Sequence, residues 1–307
     1  MASKFKSSGV APLLILFVFI MTIVVRVFDL TAGASASEIF AKTIVSQIVI
    51  FALPGLFYAR TRSDNYFKNI PISAMIPSRA LFLIYTLVVL VIGSMLIQFA
   101  VFAIGGSEYS VSTTGQELFE ISEQSGFVYV FLALGVVPAV CEEFVFRGIL
   151  LHEYAPYGKL CAITVSSLAF AMLHFNVSGF LSYFFCGVVL GVSYYVTQNL
   201  FITVLLHLVS NMCSIYAVPL ISQIILSSGS MVFSMFLLVT VFLIALTLSF
   251  REAAIVYWEY AVGDAVMKKT TTRQKGRSKG IYLVTEVFLS PALLICVLLF
   301  MIMALTL

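Results

Sequence analysis

Three short motifs carry the residues whose types and spacing suit them to chemistry. Glu142, Glu143 and Arg147 lie in Cys-Glu-Glu-Phe-Val-Phe-Arg, His174 closes Phe-Ala-Met-Leu-His, and His207 and Asn211 bound His-Leu-Val-Ser-Asn. Glu143 and Arg147 are four apart, so on a helix they share a face and can pair. Glu142 is turned about 100° away from that face and has no local cation. His207 and Asn211, also four apart, project together. No serine or cysteine stands among them as a nucleophile, so the set fits an attacking water. Glu142, withdrawn from bulk solvent, would be a general base taking a proton from a water that His174 helps to orient. His207 and the Asn211 amide would donate hydrogen bonds to the oxyanion of a tetrahedral intermediate. Alternatively, Glu142, His174 and His207 could hold a Zn²⁺ with water in the fourth position. No standard zinc spacing such as H-E-x-x-H occurs, so the cofactor stays open between none and zinc.

The elements that must position these groups are set by composition. Of 307 residues, 61% are hydrophobic and 10% charged. A soluble fold of this size needs about a quarter of its residues charged. Disordered, collagen-like and disulfide-dense secreted folds are excluded on the same ground, leaving an all-α polytopic membrane protein. A bilayer core of about 30 Å calls for about 20 apolar residues in helix. Nine spans are predicted: Val10–Phe28, Ile39–Tyr58, Ala80–Ile104, Phe127–Leu151, Leu160–Val177, Phe180–Val196, Phe201–Ile221, Met231–Phe250 and Ile281–Leu307. They are apolar all round rather than alternating, which excludes membrane strands. Ionisable groups are costly at lipid depth and are functional candidates by default. Here they gather in the fourth, fifth and seventh spans, and two of the three histidines are among them.

Positive charge sets the orientation. With the N-terminus (Lys4, Lys6) in the cytoplasm, the segment Arg60–Arg79, the turn with Arg147 and Lys159, and the basic stretch from Arg251 to Lys279 all face inward. That places fifteen of the seventeen Lys and Arg residues on one side. The loop from Gly105 to Gly126 carries Glu108, Glu117, Glu120 and Glu123 and no cation. Ala-Gly-Ala-Ser-Ala at 32–36 resembles a signal-peptidase site. The apolar run before it is longer than the usual ~7–15 residues, which favours an uncleaved first helix. Val262–Lys279 reads first as an ordinary positive-inside determinant, with attraction of its cations to anionic inner-leaflet lipid as the second reading.

Glu-Glu-x-x-x-Arg at 142–147, Phe-x-x-x-His at 170–174 and His-x-x-x-Asn at 207–211 resemble the three motifs of the CPBP family. That family holds the CAAX-type prenyl-protein endopeptidases and the bacterial bacteriocin-processing and self-immunity (Abi) proteins. The resemblance covers about Phe127 to Cys213. It implies that Glu142, His174, His207 and Asn211 are catalytic, with Glu143 and Arg147 in support, and that the protein is a glutamic or metal-dependent membrane endopeptidase. Eukaryotic members tend to have further histidines near the second motif, whereas Phe175 and Asn176 follow His174 here. The chain is thus more similar to the bacterial branch, for which prenylated substrates are not expected.

Other features take structural readings. Cys141, Cys161, Cys186, Cys213 and Cys296 have no C-x-x-C spacing and read as buried apolar residues. His152, beside Glu153, reads as an interfacial histidine, and Pro138 as a kink in the fourth helix. Gly187 and Gly191 permit close helix packing. The expected organisation is three N-terminal helices and an acidic outer loop over 1–126, a peptidase core over 127–221, and C-terminal helices with a basic cytoplasmic loop over 222–307. The partners are a membrane-associated peptide or protein substrate and the lipid bilayer, with no nucleic acid. The site is expected within the inner or plasma membrane, opening towards the cytoplasm. The alternatives are a catalytically silent membrane scaffold or regulator and, behind it, a transporter.

Overall fold

The structure, a computed structural model, describes residues 7–28, 36–62, 66–72, 79–105, 126–227, 229–267 and 284–306. Lys4, Lys6, the cleavage-like run at 32–35, the four glutamates of the acidic loop and the cations from Lys268 to Lys279 lie outside these residues. Among the described residues all regular structure is helical. Six helices are long and apolar enough to cross a membrane: Glu38–Arg62 (α2), Ala80–Gly105 (α3), Phe127–Tyr157 (α4), Phe180–Thr197 (α6), Leu200–Ser227 (α7) and a span within Met231–Met267 (α8). The helices Ser7–Val27 (α1), Lys159–Leu173 (α5) and Pro291–Thr306 (α9) complete the correspondence with the expected spans. Helices are the solution because each satisfies its own backbone hydrogen bonds without help from water.

Several boundaries differ from expectation: the fourth and seventh helices run on to Tyr157 and Ser227, and the fifth, eighth and ninth differ as follows. The fifth helix ends at Leu173 rather than Val177. His174 caps it, Phe175 takes a left-handed φ of 48°, and the Asn176 side chain accepts bonds from Ser178 Oγ and the Gly179 N–H at 2.8 and 2.7 Å. That Asx turn offers the backbone an alternative to another helical turn. The last helix begins at Pro291, not Ile281, because a one-turn helix over Val284–Phe288 ends in a turn at Leu289, and proline is suited to a helix start. The eighth runs on to Met267, so Arg251–Met267, expected as loop, is helix.

Successive helices alternate in direction and their ends meet in two layers. At one end the Arg62 guanidinium donates to Glu153 at 2.7 and 3.2 Å, Tyr66 Oη donates to the same carboxylate at 3.1 Å, and the Leu200 N–H reaches the Pro71 carbonyl. Burial and the neighbouring Glu153 charge push the Tyr66 phenol up, so it stays a donor. His152 packs edge-on against Tyr66 and is exposed, which fits its interfacial reading. Lys159 lies in this basic layer, over the Tyr195 and Tyr257 rings. At the far end Phe127 meets Tyr216, and Arg26 of α1 donates to the His174 carbonyl at 2.9 Å.

The main apolar core lies where α1, α2, α4, α5 and α9 meet, and a glycine lets α6 lie close against α5. A Cβ on Gly187 of α6 would stand 2.9 Å from the Ser167 Cα of α5. By contrast α8 packs on the outside, mostly exposed, as a lipid-facing helix should be.

Candidate active site

Glu142 occupies the middle of α4, in a seven-residue α-helical segment, Val137–Glu143, between two wider π-helical turns over Phe131–Val136 and Phe144–Leu150. Such turns shift the register of the faces they separate. Pro138 has no N–H to give the carbonyl four residues before it, that of Leu134. The Asn211 amide of α7 donates to that carbonyl instead, at 3.1 Å. The kink expected from Pro138 thus couples the fourth helix to the seventh.

The two adjacent glutamates face different surroundings. Glu143 is completely buried; its Oε1 accepts from Arg147 Nη1 at 2.5 Å and from His207 Nδ1 at 2.9 Å. Arg147, also completely buried, gives Nη2 to the Gly187 carbonyl at 3.0 Å and lies over the Phe170 ring. This is a correction to its expected place in a basic turn: the charge is spent inside the bundle. Glu142 Oε1 accepts from Gln47 Nε2 of α2 at 3.1 Å, and its Oε2 lies 3.9 Å from His207 Nε2. With Nδ1 donating to Glu143, Nε2 is the free nitrogen of the His207 ring. It faces Glu142.

His174 is positioned from three directions. Its Nδ1 donates to the Phe170 carbonyl at 2.9 Å, its ring stacks on Tyr183 with centroids 3.8 Å apart, and Arg26 holds its carbonyl. Because a carbonyl only accepts, Nδ1 carries the hydrogen and Nε2 is the free acceptor.

Glu142, His174, His207 and Asn211 all line one cavity of about 140 Å³, together with Ser94, Gln98 and other residues of α3, α6 and α7. Glu143 and Arg147 do not line it. Among the described residues, no three His, Cys, Asp or Glu side chains are grouped so as to hold a metal ion. His174 and His207 each bond through Nδ1 and keep Nε2 free, an arrangement that a metal-ligating histidine shares, so the choice between a glutamate-activated and a zinc-bound water falls to the chelator experiment below.

The cavity's lining runs over Leu90–Gln98 in α3, Ser182–Leu190 in α6 and His207–Val218 around the middle of α7. The Glu143–Arg147 pair and the Arg62–Glu153–Tyr66 cluster lie outside that lining.

Two contributors were not foreseen. Gln47 was legible only as a lone amide in an apolar stretch, and Arg26 as a cation at the end of the first span. Neither has a partner at helical spacing to draw attention to it.

Residues 124–213 match the family model described as Rce1-like, type II CAAX prenyl endopeptidase Rce1-like. No curated protein and no solved structure matches the chain. The matched segment carries every motif of the site and all of α5 and α6.

Proposed function

We propose that this multi-pass membrane protein, whose residues 124–213 form a domain of the CAAX-protease family, is an endopeptidase that hydrolyses a peptide bond with water inside the bundle. The observation that carries this reading is the cavity in which Glu142, His174, His207 and Asn211 converge.

Glu142 and the free Nε2 of His174 supply the two acceptors a water needs to be oriented. Glu142 takes one proton from that water as its oxygen bonds to the carbonyl carbon, and the carbonyl electron pair moves onto oxygen. The Asn211 amide has two N–H groups, and one is spent on Leu134. The other, with a protonated His207 Nε2, serves the oxyanion. Collapse reforms the carbonyl and breaks the C–N bond, and the proton held by Glu142 passes to the leaving amine. His174 orients the water through Nε2. Gln47 fixes the Glu142 rotamer, and Glu143 with Arg147 fixes the His207 ring. The surrounding bilayer is the inner or plasma membrane, with the N-terminus and the basic segments in the cytoplasm; the acidic loop is extracytoplasmic.

The test is hydrolysis of a broad peptide library by detergent-purified protein, wild type against Glu142→Gln, with and without a strong chelator. Cleavage by wild type that is lost in Glu142→Gln and indifferent to chelator supports the mechanism. Cleavage retained by Glu142→Gln, or lost to chelator and restored by zinc, overturns it. A wild-type protein that cleaves nothing leaves the domain as a scaffold.

A further inference from the structure

We infer that α1 and α9, which lie outside the residues matched to the CAAX-protease family, complete the site by clamping the end of α5 in the geometry that aims His174. Arg26 and Phe175 are the positioning residues. That His174 acts on a substrate rests on the peptidase reading; the clamp itself rests on hydrogen bonds and ring contacts.

The last turn of α5 departs from ordinary helix. The His174 N–H reaches the Ala171 carbonyl at 3.3 Å, and the Phe175 N–H reaches the Met172 carbonyl at 3.0 Å. This is the three-residue spacing of a tightened helix end. In a continuing α-helix the Phe170 carbonyl would take the His174 N–H. Here that carbonyl is left over, and the His174 ring takes it through Nδ1 at 2.9 Å. The ring thus stands in for its own backbone N–H. A return to α-helical spacing would hand the Phe170 carbonyl back to the backbone and release the ring, and Nε2 would lose its aim into the cavity that His174 lines.

Such a turn does not hold itself. Phe175 sits at φ 48°, a left-handed conformation that is costly for a residue with a Cβ and persists only where its surroundings impose it. Those surroundings come from α1 and α9. The Phe175 ring is buried, edge-on to Phe19 with centroids 5.4 Å apart and stacked on Phe300 at 6.5 Å. The Arg26 guanidinium lies 5.5 Å from the centroid of the same ring and donates to the His174 carbonyl at 2.9 Å. A cation there also suits the negative end of α5. Phe19, Arg26 and Phe300 all fall outside residues 124–213.

Two measurements on the full-length protein in detergent decide it. The first reads the ring itself, by NMR of isotope-labelled histidine. The chain has three histidines, and His174→Gln assigns the signal. Wild type should show His174 as a single tautomer protonated at Nδ1. Arg26→Met should turn it into a mixture, and Arg26→Lys should restore the single form. An unchanged His174 signal in Arg26→Met overturns the clamp whether or not the protein cleaves peptides. The second is steady-state cleavage. Misplacing a catalytic group by about 1 Å can cost about 10²-fold, so Arg26→Met should lower kcat by about 10- to 100-fold with KM held, and Arg26→Lys should recover most of it. Phe175→Asn tolerates the left-handed backbone but has no ring to seat, and it should lose kcat as well. Full kcat in both Arg26→Met and Phe175→Asn, or a loss equal to the fraction of protein unfolded, overturns the clamp. A wild type that cleaves nothing strikes the peptidase reading, and the ring spectra then decide the clamp alone.

Discussion

Glu142 and Glu143 are consecutive residues on α4, yet they belong to two regions built on opposite principles. On the Glu143 side every strong charge is matched: the carboxylate holds Arg147 and His207, and the guanidinium continues to the Gly187 carbonyl, with no exposure at either glutamate or arginine. On the Glu142 side the carboxylate has an amide from Gln47 and, at 3.9 Å, an imidazole nitrogen, with a cavity in front. A buried ion pair is weak evidence for net stability, but removing one member leaves an uncompensated charge at high cost. An under-partnered carboxylate facing a cavity is instead what a proton acceptor needs. One region is therefore an internal clamp and the other a reaction site, and His207 touches both.

Substitutions can break or sharpen that contrast. His174→Ala should lower cleavage by about 10²- to 10⁴-fold, the usual worth of a positioned acid–base group, with melting temperature in detergent unchanged; equal losses of both would make His174 structural. Arg147→Ala should cost about 3–5 kcal/mol of stability by stranding Glu143, read as lost monodisperse protein or a sharp drop in melting temperature. Gln47→Leu removes a hydrogen bond to a charged acceptor, worth about 1.5–3 kcal/mol. On this account the loss falls on kcat with KM held, and a loss confined to yield would remove Gln47 from the site. Gly187→Ala must push α5 from α6 and should cost about 1–3 kcal/mol, checked by thermal unfolding. It tests whether the clamp depends on that close approach.

The helices were legible because lipid depth demands long apolar runs, and runs such as Ala80–Gly105 contain no charged residue. Boundaries were legible only where local chemistry overrode hydropathy in a visible way. Phe175, Asn176 and Val177 are compatible with a helix until the Asx turn forms, so the early end of α5 was hidden. The pairing of Glu143 with Arg147 could be read from spacing because both lie on one helix. The attachment of His207 to Glu143, and of Gln47 to Glu142, could not: each joins helices whose register depends on the π turns in α4 and, for Gln47, on the π turn over Ile48–Ala52 that follows it in α2. Arg147 misled the charge count because a cation near a helix end reads as a loop charge until its buried partners are known.

The central claim is that neighbouring carboxylates divide catalysis from support. The most direct measurement is cleavage rate together with melting temperature for Glu142→Gln and Glu143→Gln, purified in the same detergent. The account predicts that Glu142→Gln abolishes cleavage and melts like wild type, while Glu143→Gln unfolds at markedly lower temperature because Arg147 loses its counter-charge. A Glu142→Gln protein that cleaves normally, or a Glu143→Gln protein as stable as wild type, would contradict it.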